Sequence, residues 1–187
     1  MVRRDVQVQA HADERDAARV SGFPPISGSD ARVLVLGSMP GVASLQAQQY
    51  YAHSRNAFWP IMGALFGFDA TGPYAQRVDA LVAQQVAVWD VLTSCLRAGS
   101  LDADIERQSV VANDFAGFFD RHRQIRRVCF NGAMAESLYR RHVASHGGRG
   151  DLLEFLRMPS SSPAHAGMSI VDKAAAWRAV HPRSLMP

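Results

Sequence analysis

Residues 31–41 read Ala-Arg-Val-Leu-Val-Leu-Gly-Ser-Met-Pro-Gly, an almost continuous apolar run that ends in a turn rich in Gly and Pro. Such a run is typical of a strand in a parallel sheet, where both faces are covered. A second junction of the same design lies near the other end of the chain, where residues 152–156 lead into Met-Pro-Ser-Ser-Ser-Pro-Ala-His at 158–165. Because ligands of parallel α/β sheets bind beyond the carboxyl ends of the strands, the two junctions predict one site built from both loops.

Strand-like and helical segments alternate along the chain. We predict strands over residues 31–36, 85–89, 125–130 and 152–156. We predict helices over 13–20, 43–49, 58–66, 74–84, 113–119 (with Asn113 as its cap), 131–142 and 169–180, and a loop over 147–150. The alternation implies an α/β fold, with a parallel sheet, right-handed crossovers and helices on both faces. Residues 1–30 are predicted to be a peripheral segment, and 31–187 a single domain.

The composition is that of an ordinary soluble globular protein, with 187 residues, 48% hydrophobic and 20% charged. No apolar run approaches the roughly 18 residues that span a bilayer, and the polar start does not resemble a secretory signal, so we expect a cytoplasmic protein without membrane partners. Only Cys95 and Cys129 are present, which excludes a disulfide framework and a four-cysteine iron–sulfur cluster within this chain. Lys173 is the sole lysine beside nineteen arginines. The arginines suit phosphate recognition, although codon usage in a GC-rich genome explains them equally well.

Polar and aromatic residues follow the first predicted strand. The glycines of the 37–41 turn let backbone amides approach a ligand closely, although the turn lacks the Walker and dinucleotide signatures. Tyr50 and Tyr51 either pack against the core or stack on an unpaired base. Asn56 is neutral at all working pH values and can accept a hydrogen bond from a water molecule and so orient it. This segment predicts a site for a polar, aromatic ligand.

The other strand ends carry polar groups as well. Asp90 is positioned either to read an N–H group of a base, to act as a general base, or to cap a turn. Asn131 is either a site residue or an ordinary turn residue before Gly132. The hydroxyls and amides of the 158–165 loop can hold a phosphate, and His165 can donate to a phosphate or stabilise a leaving anion.

These segments together resemble the uracil-DNA glycosylase superfamily, and most closely its hypoxanthine-DNA (deoxyinosine) glycosylase branch. The matching segments keep chain order over roughly residues 31–180: 37–41, 50–59 (Tyr-Tyr-Ala-His-Ser-Arg-Asn-Ala-Phe-Trp), 88–91, 99–102 (Gly-Ser-Leu-Asp), 130–132 and 159–165. The resemblance implies a three-layer α/β/α sandwich with a central four-stranded parallel sheet. It also implies hydrolysis of the N-glycosidic bond of a flipped-out deaminated base in DNA, without metal or cofactor. The sequence does not determine the oligomeric state, and we expect a monomer without an obligatory protein partner.

The resemblance assigns Asn56 to the catalytic water, Tyr51 and the first loop to the pocket wall, and the 159–165 loop to the DNA duplex. Asp90 falls where some relatives carry a base-reading Asn. The first motif has neither the Asp nor the Asn that other branches carry, which makes Asn56 important. Our predicted site comprises Asn56 and His165 as catalytic groups; Gly37, Ser38, Met39, Pro40, Gly41, Tyr51, Phe58, Asp90 and Asn131 as base-binding groups; and His53, Arg55, Ser160, Ser161, Ser162 and Pro163 as DNA contacts.

Three other functions fit parts of this pattern. Ser38, His165 and Asp90 could form a hydrolytic triad, although Ser38 does not lie in a Gly-x-Ser-x-Gly elbow. The chain could bind damaged DNA without catalysis. It could also be a uracil enzyme with little action on hypoxanthine.

Overall fold

The computed structural model describes residues 19–143, 152–165 and 167–185. In chain order its strands are β1 (Arg19–Ser21), β2 (Val33–Gly37), β3 (Val86–Asp90), β4 (Leu92–Leu96), β5 (Val111–Ala112), β6 (Arg127–Asn131) and β7 (Glu154–Met158). The α-helices are α1 (Val42–Ala47), α2 (Phe58–Phe66), α3 (Tyr74–Ala83), α4 (Phe115–Arg121), α5 (Ala133–His142) and α6 (Ile170–Ala176). Short 3-10 helices cover Asp102–Asp104, Trp177–Val180 and Pro182–Leu185.

A four-stranded parallel sheet in the order β3–β2–β6–β7 forms the centre of the molecule. The central strand β2 is the apolar run of the sequence, and all five of its residues are buried. Strands with a neighbour on each side and helices above and below them need apolar side chains on both faces. The predicted α/β fold with four parallel strands is therefore confirmed, with each strand shifted by one or two residues toward the carboxyl end.

Aromatic contacts attach the helices to the sheet and to each other. The ring centroids of Trp89 in β3 and Phe118 in α4 are 4.9 Å apart, and those of Phe130 in β6 and Tyr139 in α5 are 5.3 Å apart. Phe58, the first residue of α2, meets Trp177 at the end of α6 with centroids 6.0 Å apart. Such edge and tilted pairs are the favoured ring arrangements. Together with the apolar strands they form one hydrophobic core.

Most predicted helices are confirmed; the cap of α4 and the end of the last helix need correction, and the predicted 13–20 helix is treated with β1 below. The cap of α4 is Asp114, whose carboxylate accepts from the Gly117 N–H at 2.9 Å. Asn113, the predicted cap, instead donates its amide to the Asp90 carbonyl at 2.9 Å. The predicted 169–180 helix ends at Ala176 and continues as a 3-10 turn. The predicted helices at 43–49, 58–66, 74–84 and 131–142 agree within two residues at each end, and the 147–150 loop lies outside the described residues.

A small antiparallel sheet, β1–β4–β5, was not predicted. Arg19 and Val20, which the sequence placed at the end of a helix, lie in β1; the rest of that predicted helix lies outside the described residues. Ile26 forms a bridge with Val88, and Phe23 packs on Tyr50 with ring centroids 5.3 Å apart. This part of the N-terminal segment therefore contacts the body, and the division of the chain at residue 30 stays a prediction.

None of the helices in the described ranges combines the length and the apolar character needed to cross a membrane.

Candidate active site

The carboxyl ends of the four parallel strands bring the predicted site residues to one edge of the sheet. Gly37 at the end of β2 is in register with Asp90 at the end of β3, and Asn131 at the end of β6 is in register with Met158 at the end of β7. The Gly37–Gly41 loop and the 159–165 loop leave from this edge. The predicted convergence of two loops more than 100 residues apart in the sequence is therefore seen in the structure.

The first loop is held from behind by residues that the sequence did not single out. The Ser38 hydroxyl donates to Asp102 Oδ1 at 2.6 Å, and the buried Arg97 guanidinium donates to the Pro40 carbonyl. The Val42 N–H at the start of α1 donates to Ser100 Oγ at 3.0 Å. Ser100 and Asp102 belong to one of the matching segments, but nothing in that segment indicated what they contact. Arg97 carried no signal at all.

Gly37 is required by the close approach of Asp90. A Cβ placed on Gly37 would lie 2.3 Å from Asp90 Oδ1, a distance that no side chain tolerates without movement. The same Cβ would lie 3.3 Å from the Tyr51 hydroxyl. Asp90 itself is 3% exposed. Gly37, Asp90 and the tip of Tyr51 thus form a tight polar corner, which we call the Asp90 corner.

The two tyrosines have different environments. Tyr50 is a packing residue, since it is buried and its carbonyl accepts from Trp59 Nε1 at 2.9 Å. Tyr51 stacks on Phe58 with ring centroids 4.0 Å apart and an angle of 27° between the rings. Phe58 is fully buried, and Tyr51 covers one of its faces. A base can therefore stack on Phe58 only after the Tyr51 ring has moved.

Asn56 lies at the entry to α2, and its side chain is fixed there. Its Oδ1 accepts from the Phe58 N–H at 3.0 Å, and its own N–H donates to the His53 carbonyl at 2.8 Å. The next residue, Ala57, donates its N–H to the Ser161 carbonyl at 2.9 Å. This hydrogen bond joins the Asn56 segment to the 159–165 loop. His53 and Arg55 are exposed beside it.

Asn131 fixes the 159–165 loop by a reciprocal pair of hydrogen bonds. Its amide donates to Ser161 Oγ, and its Oδ1 accepts from the Ser161 N–H, both at 2.8 Å. Gly132 has φ of 96°, a left-handed conformation that favours glycine, and a Cβ there would lie 3.0 Å from Ser160 Cβ. Ser161 is only 1% exposed. Asn131 and Ser161 therefore serve to hold the loop.

Lys173 anchors the far end of the same loop. Although it is a lysine, it is 4% exposed, and its Nζ donates to the His165 carbonyl at 2.8 Å. Burial lowers the pKa of this ammonium. The His165 N–H donates to the Ser162 carbonyl at 3.0 Å, while its side chain is exposed. The backbone of His165 is thus positioned from two sides, and its imidazole faces solvent.

The family model of the uracil DNA glycosylase superfamily matches residues 24–186. The chain belongs to this superfamily. A Methanosarcina acetivorans protein named hypoxanthine DNA glycosylase is 32% identical over 163 residues, which are 85% of this chain and 96% of that protein. A Methanosarcina barkeri protein of the same name is 35% identical over 112 residues, or 59% of this chain and 70% of that protein. The family resemblance seen in the sequence is confirmed.

The fold agrees with a solved structure of this superfamily. A provisionally assigned uracil DNA glycosylase from Methanosarcina acetivorans, determined by solution NMR, matches with a TM-score of 0.69 and 30% identity. The match covers 87% of this chain and 98% of the other.

Two carboxyl groups at this edge of the sheet have raised pKa values. Burial and, to a smaller extent, the charge of Asp102 raise the pKa of Asp90 to about 8, against the opposing charge of Arg97. Burial also raises the pKa of Asp102, against the hydrogen bond from Ser38 and the charge of Arg97. Burial likewise raises the pKa of Tyr51, which therefore stays a neutral phenol. At neutral pH the Asp90 corner is thus largely uncharged.

Ser38 does not form the alternative hydrolytic triad in this structure, because its hydroxyl donates to a carboxylate, Asp102, rather than to a histidine. Over the described ranges, no group of three or more His, Cys, Asp or Glu side chains is arranged to hold a metal ion.

An open depression of about 730 Å³ lies between α5 and β7, next to the start of the 159–165 loop. Its charged residues are Glu136, Arg140, Arg141 and Arg157. Glu136 pairs with Arg140 at 2.8 Å and with Arg157 at 3.3 Å. With three cations and one anion, the depression has a net positive charge, which suits a polyanion such as a DNA strand.

Proposed function

We propose that this member of the uracil DNA glycosylase superfamily removes a deaminated base, hypoxanthine or uracil, from DNA and leaves an abasic site. The observation that carries the proposal is the hydrogen bond from the Ala57 N–H to the Ser161 carbonyl. This hydrogen bond supports the proposal because it links the segment that contains Asn56, which can orient water, to the loop that contains His165, which can contact the DNA backbone.

The reaction begins with extrusion of the base from the duplex. Flipping costs a few kcal/mol and is cheapest for weakly paired lesions, such as hypoxanthine opposite cytosine or uracil opposite guanine. The bond between C1′ of the sugar and the base nitrogen then stretches, and its electron pair stays on the base. Water adds to C1′, its proton is lost, and the base anion takes up a proton. Stabilising the negative charge on the base therefore matters more than a strong nucleophile does.

Asn56 is the residue that we assign to the water. Its Oδ1 has two lone pairs and uses one for the Phe58 N–H, so the orientation of the amide is fixed before the substrate binds. The second lone pair can accept from water and aim it at C1′. An amide stays neutral at every working pH, so its role is to orient the water rather than to remove a proton.

The phosphate contacts of the proposal come from exposed groups around the mouth of the site. His53 and Arg55 lie before α2, and His165 lies at the end of the opposite loop. Charged and hydroxyl donors on both sides of a flipped nucleotide fix its register without reading sequence. Ser160, Ser162 and Pro163 are half-buried at the loop surface, whereas the burial of Ser161 argues against a direct phosphate contact.

The test is an excision assay on oligonucleotides that carry one hypoxanthine or one uracil, in single- and double-stranded form. Cleavage of the strand by alkali after incubation reports the abasic site. We expect cleavage of at least one lesion duplex and none of undamaged DNA. Lesion-dependent retention in a gel without strand cleavage would instead show a non-catalytic DNA binder. Cleavage of uracil alone would show a uracil-specific enzyme.

A further inference from the structure

The last α-helix, α6 (Ile170–Ala176), has the reverse of the burial pattern that its side chains favour. Lys173 is 4% exposed, whereas Ile170 is 57% and Val171 is 77% exposed. Lysine is among the residues least often buried, and removal of an ammonium group from water costs free energy unless the protein hydrogen-bonds it. No carboxylate in the described ranges forms an ion pair with Lys173. The hydrogen bond that its ammonium makes is therefore what favours a lysine at this position.

That hydrogen bond is to the main chain of His165. Nζ of Lys173 donates to the His165 carbonyl at 2.8 Å. Trp177, which directly follows α6, is fully buried, and its Nε1 donates to the Pro159 carbonyl at 2.9 Å. Side chains four residues apart lie on the same face of a helix. One face of α6 thus holds both ends of the 159–165 loop.

The same face contacts the segment that contains the other predicted catalytic residue. The Trp177 ring meets the Phe58 ring edge-on, with centroids 6.0 Å apart. The Phe58 N–H is in turn the donor that fixes Asn56 Oδ1 at 3.0 Å. Because the contacts to the His165 loop and to Phe58 come from adjacent turns of one helix, they fix where the two predicted catalytic residues lie relative to each other.

The end of the loop that bears His165 depends on Lys173. The loop is also held at Ser161, four residues earlier, by its bonds to Asn131 and Ala57. The His165 N–H donates to the Ser162 carbonyl, which belongs to the loop itself. Among the residues that the structure describes, Lys173 is the one outside the loop that hydrogen-bonds to His165. A hydrogen bond from a charged donor is roughly twice as strong as one between neutral groups, so its loss should release this end of the loop.

We propose that Lys173 is a positioning residue of the site: it fixes the main chain of His165 from α6 and thereby sets the place of the imidazole relative to Asn56 during excision. The inference rests on the proposed function and adds to it the residue on which the geometry of the catalytic pair depends. A displacement of about 1 Å by a substitution far from the reacting atoms can cost about 100-fold in rate. Lys173 acts on the reaction only through His165.

The experiment measures the single-turnover rate of hypoxanthine excision and the affinity for the same duplex. Lys173→Met keeps a long side chain and removes its N–H donors, so the rate should fall about 30-fold. The affinity should change less than about threefold, because the other exposed groups that contact the phosphates remain. Lys173→Arg keeps a cation with N–H donors and should restore the rate to within about fivefold of that of the unmodified protein. Val171→Ala, at an exposed position of the same helix, is the matched control and should change neither quantity.

A double-mutant cycle shows whether Lys173 acts through His165. If it does, Lys173→Met should slow excision by the His165→Ala variant less than about twofold, although it slows the unmodified protein far more. A general loss of stability would instead multiply with the effect of His165→Ala.

Amide hydrogen exchange gives a readout that needs no activity. In Lys173→Met the His165 N–H should exchange at least about tenfold faster, while the amides of β2 keep their exchange rates. An equal increase at both places would show a general loss of stability and would overturn the positioning role.

The outcomes separate this inference from the proposed function. If the unmodified protein excises neither hypoxanthine nor uracil, the proposed function is wrong, and the positioning role falls with it. If the unmodified protein excises hypoxanthine and Lys173→Met does so at the same rate, only the inference is overturned. The same holds if the effects of Lys173→Met and His165→Ala multiply. If Lys173→Met does not fold, Lys173→Gln, a polar and uncharged side chain one atom shorter than lysine, takes its place in the same cycle.

Discussion

The two halves of the carboxyl edge of the sheet treat their buried polar groups in opposite ways. On the β6–β7 side, Asn131 and Ser161 satisfy each other through two hydrogen bonds of 2.8 Å. On the β2–β3 side, the buried Asp90 Oδ2 has no hydrogen-bond partner among the residues that the structure describes. A satisfied pair contributes to stability, whereas an unsatisfied buried group costs free energy. The comparison indicates that the β6–β7 side holds the loop, whereas the β2–β3 side carries a buried oxygen that costs stability.

The largest expected effect of this difference is a gain of stability when the buried carboxyl group of Asp90 is replaced by an amide. The pKa of Asp90 is raised from 3.8 to about 8 in the folded protein. A raised pKa means that the folded state binds the proton of Asp90 more tightly than the unfolded state does, so binding of this proton stabilises the fold. The stabilisation is complete below about pH 4 and is lost as pH rises toward 8. Asp90→Asn does not titrate and should therefore be more stable than the unmodified protein, by roughly 2–4 kcal/mol at pH 7.

Urea denaturation at several pH values checks this prediction. The difference in unfolding free energy between Asp90→Asn and the unmodified protein should widen from about pH 4 to about pH 8 and then stay constant. A difference that does not depend on pH would show that Asp90 is ionised in the folded protein with an unshifted pKa. Ionisation of Asp90 would then cost the fold no stability.

Gly37→Ala should have the next largest effect, because it forces the Asp90 corner apart. The new Cβ would lie 2.3 Å from Asp90 Oδ1, so the carboxyl group or the backbone must shift. Overpacking of this kind costs about 1–3 kcal/mol, and we also expect loss of excision activity. Gly41→Ala in the same loop is the control, since its Cβ would approach nothing closer than 3.9 Å. Thermal unfolding that is equal for the two variants would contradict the tight packing of the corner.

Asn131→Ala tests the β6–β7 side, where the buried polar groups of Asn131 and Ser161 are hydrogen-bonded to each other. It removes two hydrogen bonds and leaves the buried Ser161 N–H without its acceptor, so the unfolding free energy should fall by about 1–2 kcal/mol. Ser161→Ala removes only the bond at the hydroxyl and should cost less. A chemical denaturation curve for each variant gives the comparison. An unchanged curve for Asn131→Ala would mean that the β6–β7 side is not a source of stability.

The smallest expected effects concern the depression between α5 and β7. Arg157→Gln should weaken DNA binding a few-fold and reduce the dependence of log K on log salt concentration by about 1. Glu136→Gln removes the only acid among the described residues that line the depression and should strengthen binding slightly. Fluorescence anisotropy at about 50 and about 200 mM salt measures the DNA affinity of each variant and its dependence on salt. Identical salt dependence in the two variants would show that DNA does not reach this side.

The central sheet could be predicted because its strands are short apolar runs between turn residues, a pattern that depends on neighbours in sequence. The small sheet could not, because β1 and β5 have three and two residues and only one residue separates the end of β3 from the start of β4. The roles of Arg97 and Asp102 depend on contacts 57 and 64 residues away. Such contacts leave no local pattern. Whether Tyr51 or a base covers Phe58 is likewise decided by packing alone.

The central claim is that Asn56 orients the water that attacks C1′. The most direct test measures single-turnover excision of hypoxanthine and affinity for the same duplex, both for Asn56→Ala and for the unmodified protein. We expect the excision rate to fall about 100-fold or more, while the affinity changes less than about fivefold. Equal losses of rate and affinity, or a rate that does not change, would contradict the role assigned to Asn56.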